Sequence, residues 1–178
     1  MFKLIMSFLF KAVLLAGIFI AHIWVNNVLP YPFEHINLIF AFLFIYLLTD
    51  ENAQALWYAL ILGLFLELFV SASFGVTMLS LYFCILSTSW LLTYFLTNRS
   101  FYIVTLAAAI SMFIYRIYFL GLNSIFNFFF KRNFLYTSRT AADYAYEMAL
   151  TALFVMLVYL LLSRIIKKLN PKYLGKYE

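Results

Sequence analysis

The sequence predicts an all-α, polytopic integral membrane protein, folded as one compact bundle of six transmembrane helices. Three observations carry this prediction. The 178 residues are 67% hydrophobic and only 11% charged, with a mean hydropathy of +0.99. A soluble domain of this size has too little interior to hide that much apolar surface. The apolar residues run through the whole chain in stretches near the roughly 17–25 residues that cross a bilayer, parted by short polar breaks. Lysines and arginines gather at the ends of these stretches, as they do in membrane proteins.

The first span is read over about 11–28 and stops at Pro30-Tyr31-Pro32, which cannot continue a helix. Lys3 and the apolar run after it resemble a signal peptide, but Lys11 interrupts the run and no small-x-small site follows. A retained helix is expected. The second span, about 33–49, is short. Asp50-Glu51-Asn52 breaks it and can cap the third, about 53–70. Ser71-Ala72-Ser73-Phe74-Gly75 then makes a tight, uncharged turn. The fourth span covers about 76–96 and ends at Asn98-Arg99, and the fifth covers about 101–122. The stretch 123–140, rich in phenylalanine with Lys131 and Arg132, reads as a loop lying in the membrane interface. It serves there as an anchor or as a docking surface for a partner outside the membrane. The sixth span covers about 141–163, and a basic tail, 164–178, follows.

Orientation follows from the cations. With both termini cytoplasmic, Lys3, Lys11, Arg99, Arg164, Lys167, Lys168, Lys172 and Lys176 lie inside. Only Lys131, Arg132 and Arg139 lie outside. The net charge of +5 therefore belongs to helix ends and points to a lipid surface, not to nucleic acid.

Several function classes are disfavoured. The single cysteine, Cys84, permits neither an intrachain disulfide nor a thiolate metal cluster. No phosphate-binding glycine loop, zinc-binding His-Glu-x-x-His or nucleophile elbow is present. His22 and His35 are the two histidines, and neither sits beside a nucleophile in sequence. No enzyme, metal or cofactor is expected.

The polar residues inside the spans are few. Glu67 lies deep in the third span, where a bare carboxylate is costly and needs a partner. Gly63, Glu67 and Ser71 share a helical face, and Gly63 lets another backbone approach it. Arg116, in the second half of the fifth span, is the expected partner of Glu67. The alternative sends Arg116 to the headgroups and leaves Glu67 bonded to a hydroxyl. Asp143, Glu147 and Thr151 form a polar stripe on the sixth span, and Glu147 is a second candidate partner for Arg116. Lys11, His22 and Asn26 lie close to one face of the first span and read as interhelical hydrogen-bonders. Thr77, Ser80, Cys84 and Ser87 read as a small-residue packing stripe.

The stretch GLFLELFVSASFGVTML, 63–79, resembles the signature of the MreD family of rod shape-determining membrane proteins. Gly63, Leu64, Glu67, Ser71, Gly75 and Val76 fall on its positions. The family usually has Asp where this chain has Glu67. Chain length, the proline after the first span, the short second span and the basic tail agree with it. The resemblance implies a non-enzymatic scaffold of the bacterial cytoplasmic membrane, in the complex that directs peptidoglycan synthesis during elongation. Implied partners are a single-span coiled-coil protein of MreC type, MreB filaments, and the glycosyltransferase and transpeptidase of that assembly. The family is similar in turn to the substrate-binding S components of energy-coupling-factor transporters, which share a six-helix membrane fold. That likeness supplies the rival expectation, a vitamin-binding or solute-binding subunit with a polar cavity lined by Glu67, Arg116, Glu147 and loop residues such as Asn123 and Asn127.

Overall fold

The computed structural model describes residues 2–48, 52–69, 74–94, 101–130 and 141–169. These form six α-helices: α1 (Phe2–Val28), α2 (Leu38–Leu47), α3 (Asn52–Glu67), α4 (Val76–Tyr94), α5 (Phe101–Phe130) and α6 (Ala141–Leu169). A single 3₁₀ turn, Phe33–His35, precedes α2, and no strand occurs among the described residues. Of the expected turn 71–75, only Phe74 and Gly75 are described. Ser71 lies outside the described residues, as do Lys131, Arg132, Arg139 and the tail beyond Leu169.

Helices α1, α4, α5 and α6 are long and apolar enough to cross a membrane. The chain is a multi-pass helical membrane protein. Two of the expected spans are shorter than a crossing helix. Helix α2 has 10 residues, about 15 Å of rise, and α3 has 16, about 24 Å, against a hydrocarbon core of about 30 Å. The reason for the short α2 is local. The 3₁₀ turn takes up Phe33–His35, and Asn37 starts the helix only after it, its Oδ1 accepting the Phe40 N–H at 3.0 Å. Helix α5 departs the other way and runs eight residues past the expected end at 122. The first half of the expected interfacial loop is thus helix. Asn123 and Asn127 do not stop it, because exposed backbone in an apolar medium keeps its hydrogen bonds by staying helical. Helix α6 likewise continues through 164–169, the first part of the expected tail.

The shortest helix occupies the centre. Helix α2 packs against each of the other five, and its Ile39, Phe40, Leu43 and Phe44 are fully buried. An element apolar on all sides belongs inside a bundle. Around it α3 lies along α4, α4 along α5 and α5 along α6, while α1 packs on α2, α3 and the 3₁₀ turn. Outward-facing side chains such as Val13, Ile20, Trp57, Leu106 and Leu157 are large, apolar and exposed, which suits lipid as the surrounding solvent.

The small-residue stripe of α4 faces α5. Thr77, Ser80 and Cys84 are buried, Cys84 Sγ donates to the Ser111 carbonyl at 3.2 Å, and Ser87 Oγ meets Tyr118 Oη at 2.9 Å. With no exposed surface, the Cys84 thiol is expected to resist maleimide in mild detergent and to react once per chain after SDS denaturation. Mass spectrometry of the adduct checks this.

Candidate functional site

The polar residues form three clusters, each joining different helices. The first is built from the sequence signature. Gly75 adopts φ +92°, a left-handed conformation that favours glycine, and its carbonyl accepts the first α4 hydrogen bond, from Leu79 N–H at 2.9 Å. It thereby occupies the N-cap position but has no side chain with which to cap. Glu67 supplies the cap from α3. Its Oε1 accepts the Thr77 N–H at 3.3 Å and its Oε2 the Met78 N–H at 3.0 Å. These are amides of the first turn of α4, where the helix dipole also favours a negative charge.

Val76 and Thr77 are buried, so water is a poor substitute there. At Gly63, one turn before Glu67, α3 comes close to the backbone of α4. A Cβ added to it would sit 2.8 Å from Met78 Cα. The same Met78 thus touches Gly63 and donates to Glu67. Gly63, Glu67, Gly75 and Val76 form a clasp that closes the α3–α4 hairpin, while Leu64 points outward and is exposed.

The pairing of Glu67 with Arg116 is therefore corrected. Glu67 is satisfied by backbone amides, and Arg116 forms its ion pair with Glu147, Nη2 to Oε2. This second cluster joins α5, α6 and α2. Glu147 Oε1 lies 3.4 Å from Asn37 Nδ2, and the Asn37 N–H donates to Thr151 Oγ1 at 3.0 Å. Glu147, Thr151 and Asn37 are all buried. The guanidinium lies among aromatic rings, with Cζ at 4.8 Å from the Tyr144 centroid, 5.4 Å from Tyr115 and 5.8 Å from Phe119, each within cation–π range. Asp143, one turn before Glu147, has Oδ1 3.7 Å from His35 Nε2, and Glu34 Oε1 lies 3.6 Å from the same nitrogen.

The sequence reading did not name Asn37. Its signal was available, since an Asn directly before an unbroken apolar run is an N-cap signature.

The third cluster lies at the opposite end of α2. Gln54 Oε1 accepts from Lys11 Nζ at 2.8 Å, from Tyr46 Oη at 2.9 Å and from Tyr58 Oη at 3.4 Å. Gln54, in the first turn of α3, ties α1, α2 and α3 together. His22 and Asn26 meet each other within α1, Nε2 to Nδ2, at 3.3 Å.

Chemically, the polar groups of these three clusters join helices to one another. Replacing Glu67 with Ala removes both bonds to the α4 N-terminus, and a loss of about 1–2 kcal/mol is expected. Glu67→Gln keeps one carbonyl acceptor and is expected to fall between the two. SDS titration in mixed micelles, followed by tryptophan emission, ranks the three proteins. Equal stability of all three would show that the cap contributes nothing.

No protein-family model, curated protein or solved structure matches the chain.

Proposed function

We propose that this protein is a non-catalytic scaffold subunit of a bacterial cell-wall elongation complex, of the MreD type. The observation that supports this reading most is the use made of the 63–79 signature. Its acid caps the next helix and its glycine admits that helix, so the motif works as a structural clasp inside the chain. A residue set that fixes a hairpin suits a protein whose outer faces must present a constant shape to partner helices. Such contacts between helices rest on close packing and a few hydrogen bonds, because lipid offers no hydrophobic drive.

In this reading the six helices form one bundle of S-component type in the bacterial cytoplasmic membrane, with both termini cytoplasmic. Helices α2 and α3 pass through its interior and flank. The partners are a single-span coiled-coil protein of MreC type, MreB filaments, and the glycosyltransferase and transpeptidase of sidewall synthesis.

A second reading has one observation in its favour. Arg116 sits among Tyr115, Phe119 and Tyr144, with Asn123 and Asn127 on the following turns of the same helix face. An aromatic and amide-lined cation suits an anionic solute, as in a transporter's substrate-binding subunit.

Depletion in a bacterium that carries the protein separates the two. The scaffold reading expects rods to round up while vitamin and solute uptake is unchanged. Cells that keep their shape and lose uptake would overturn it in favour of the transporter.

A further inference from the structure

We infer that the groove between α1 and α6 is a binding site for one anionic phospholipid, with its acyl chain over α2 and its headgroup at Lys11. The inference rests on the membrane setting of the fold and not on the scaffold reading. Among the described residues, no Cα of α1 comes within 8 Å of a Cα of α6. Between them runs a cavity of about 280 Å³ lined by Ile18 and Ala21 of α1, Phe42 and Ile45 of α2, and Phe154 and Val158 of α6. Each of these side chains is apolar.

Size decides between the possible occupants. One turn of an α-helix, about 10 Å across and 5.4 Å high, fills roughly 400 Å³. The groove is therefore too small to enclose a turn of helix. A molecule of the size of water takes about 30 Å³, and a methylene is similar, so the groove accepts a single chain of roughly nine carbons.

Charge then selects the headgroup. Lys11 lies seven residues before Ile18, on the same face of α1 and about 10 Å along it. That is the separation between a phosphate and the middle of its chain. The groove reaches this cation through touching side chains. The Phe42 ring lies 5.8 Å from Tyr46 and 6.4 Å from Tyr58. Both tyrosines donate to the Gln54 oxygen that Lys11 also bonds. An ammonium has three N–H donors, and Gln54 takes one of them. The cluster holds the cation at a fixed depth about two turns of α1 from Ile18 of the groove, where a phosphate oxygen would complete it.

The test uses the full chain reconstituted in vesicles with spin-labelled phosphatidylglycerol or phosphatidylcholine, reading the motionally restricted fraction by electron paramagnetic resonance. A preference for phosphatidylglycerol of about fivefold is expected, the size of one lysine's attraction to an anionic headgroup. Lys11→Gln should abolish the preference, and Lys11→Arg should retain it. Ala21→Phe fills the groove and should remove about one restricted lipid per chain for either headgroup. It does not touch Lys11, so a folding failure in one variant leaves the other decisive.

Equal restriction of both lipids by the native protein would overturn the proposal. So would a preference that survives Lys11→Gln, or a restricted fraction unchanged by Ala21→Phe. Disulfide cross-linking between copies through Ala21→Cys, in a Cys84→Ser background, would show a second copy in the groove and equally overturn it.

Discussion

Replacing Glu147 with leucine while Arg116 remains is expected to cost about 3–5 kcal/mol, the range for breaking one side of a buried ion pair. The carboxylate is buried and is held by Arg116 and Asn37 together. Removing it takes the ion pair from a guanidinium that cannot lose its proton and leaves the Asn37 amide without that acceptor.

Arg116→Leu should cost less, because a carboxyl left alone can take up a proton while a guanidinium cannot shed one. The Asn37 contact also survives in that variant. The double replacement Arg116→Leu/Glu147→Leu should recover most of the loss, since two apolar side chains need no partner. A double-mutant cycle from SDS unfolding in mixed micelles gives the coupling. If the two single losses simply add, the ion pair is not a coupled unit and the cluster does not hold α2, α5 and α6 together.

Much of the architecture could be read from residue order, and the misses share a cause. The starts of α4, α5 and α6 fall at the expected positions, because each is preceded by a turn or a polar break. The expected end of α5 at 122 stands just before Asn123 and Asn127, residue types that compete with the helical backbone in water. In lipid the backbone has no competing partner, and the helix runs on to Phe130. Helix α2 is shorter than its apolar run because an apolar run measures hydrophobicity and not helicity. Its start is set by Asn37, one side chain whose Oδ1 and Nδ2 serve two different helices.

Glu67 shows what a search for opposite charges misses. Its partners are two backbone amides, which have no letter in the sequence. The indirect signal was Gly75, a residue that opens a helix and has no side chain to cap it.

Gly63→Ala offers the sharpest contrast, because two effects of known sign compete there. Alanine is favoured over glycine in a helix by about 1 kcal/mol. At Gly63, however, the new Cβ would lie 2.8 Å from the Cα of Met78, an atom of the facing backbone that cannot swing aside. Helices α3 and α4 must separate. Overpacking of this kind costs about 1–3 kcal/mol. Separation also lengthens the 3.0 Å bond from Met78 N–H to Glu67 Oε2, which adds part of the cap's contribution.

Packing should therefore win, with a loss for Ala of about 0–2 kcal/mol after the propensity gain, increased by the cap's share, and a larger one for Leu. Gly121→Ala on α5 is the control. A Cβ there meets nothing within 4 Å, so propensity acts alone, and a neutral or slightly stabilising result is expected. If both alanines shift SDS stability in the same direction, the close approach of α3 to α4 does not exist. The clasp makes one further demand. Once α4 has moved away from Gly63→Ala, the carboxylate has already lost its grip, so adding Glu67→Ala should cost less than it does in the native background.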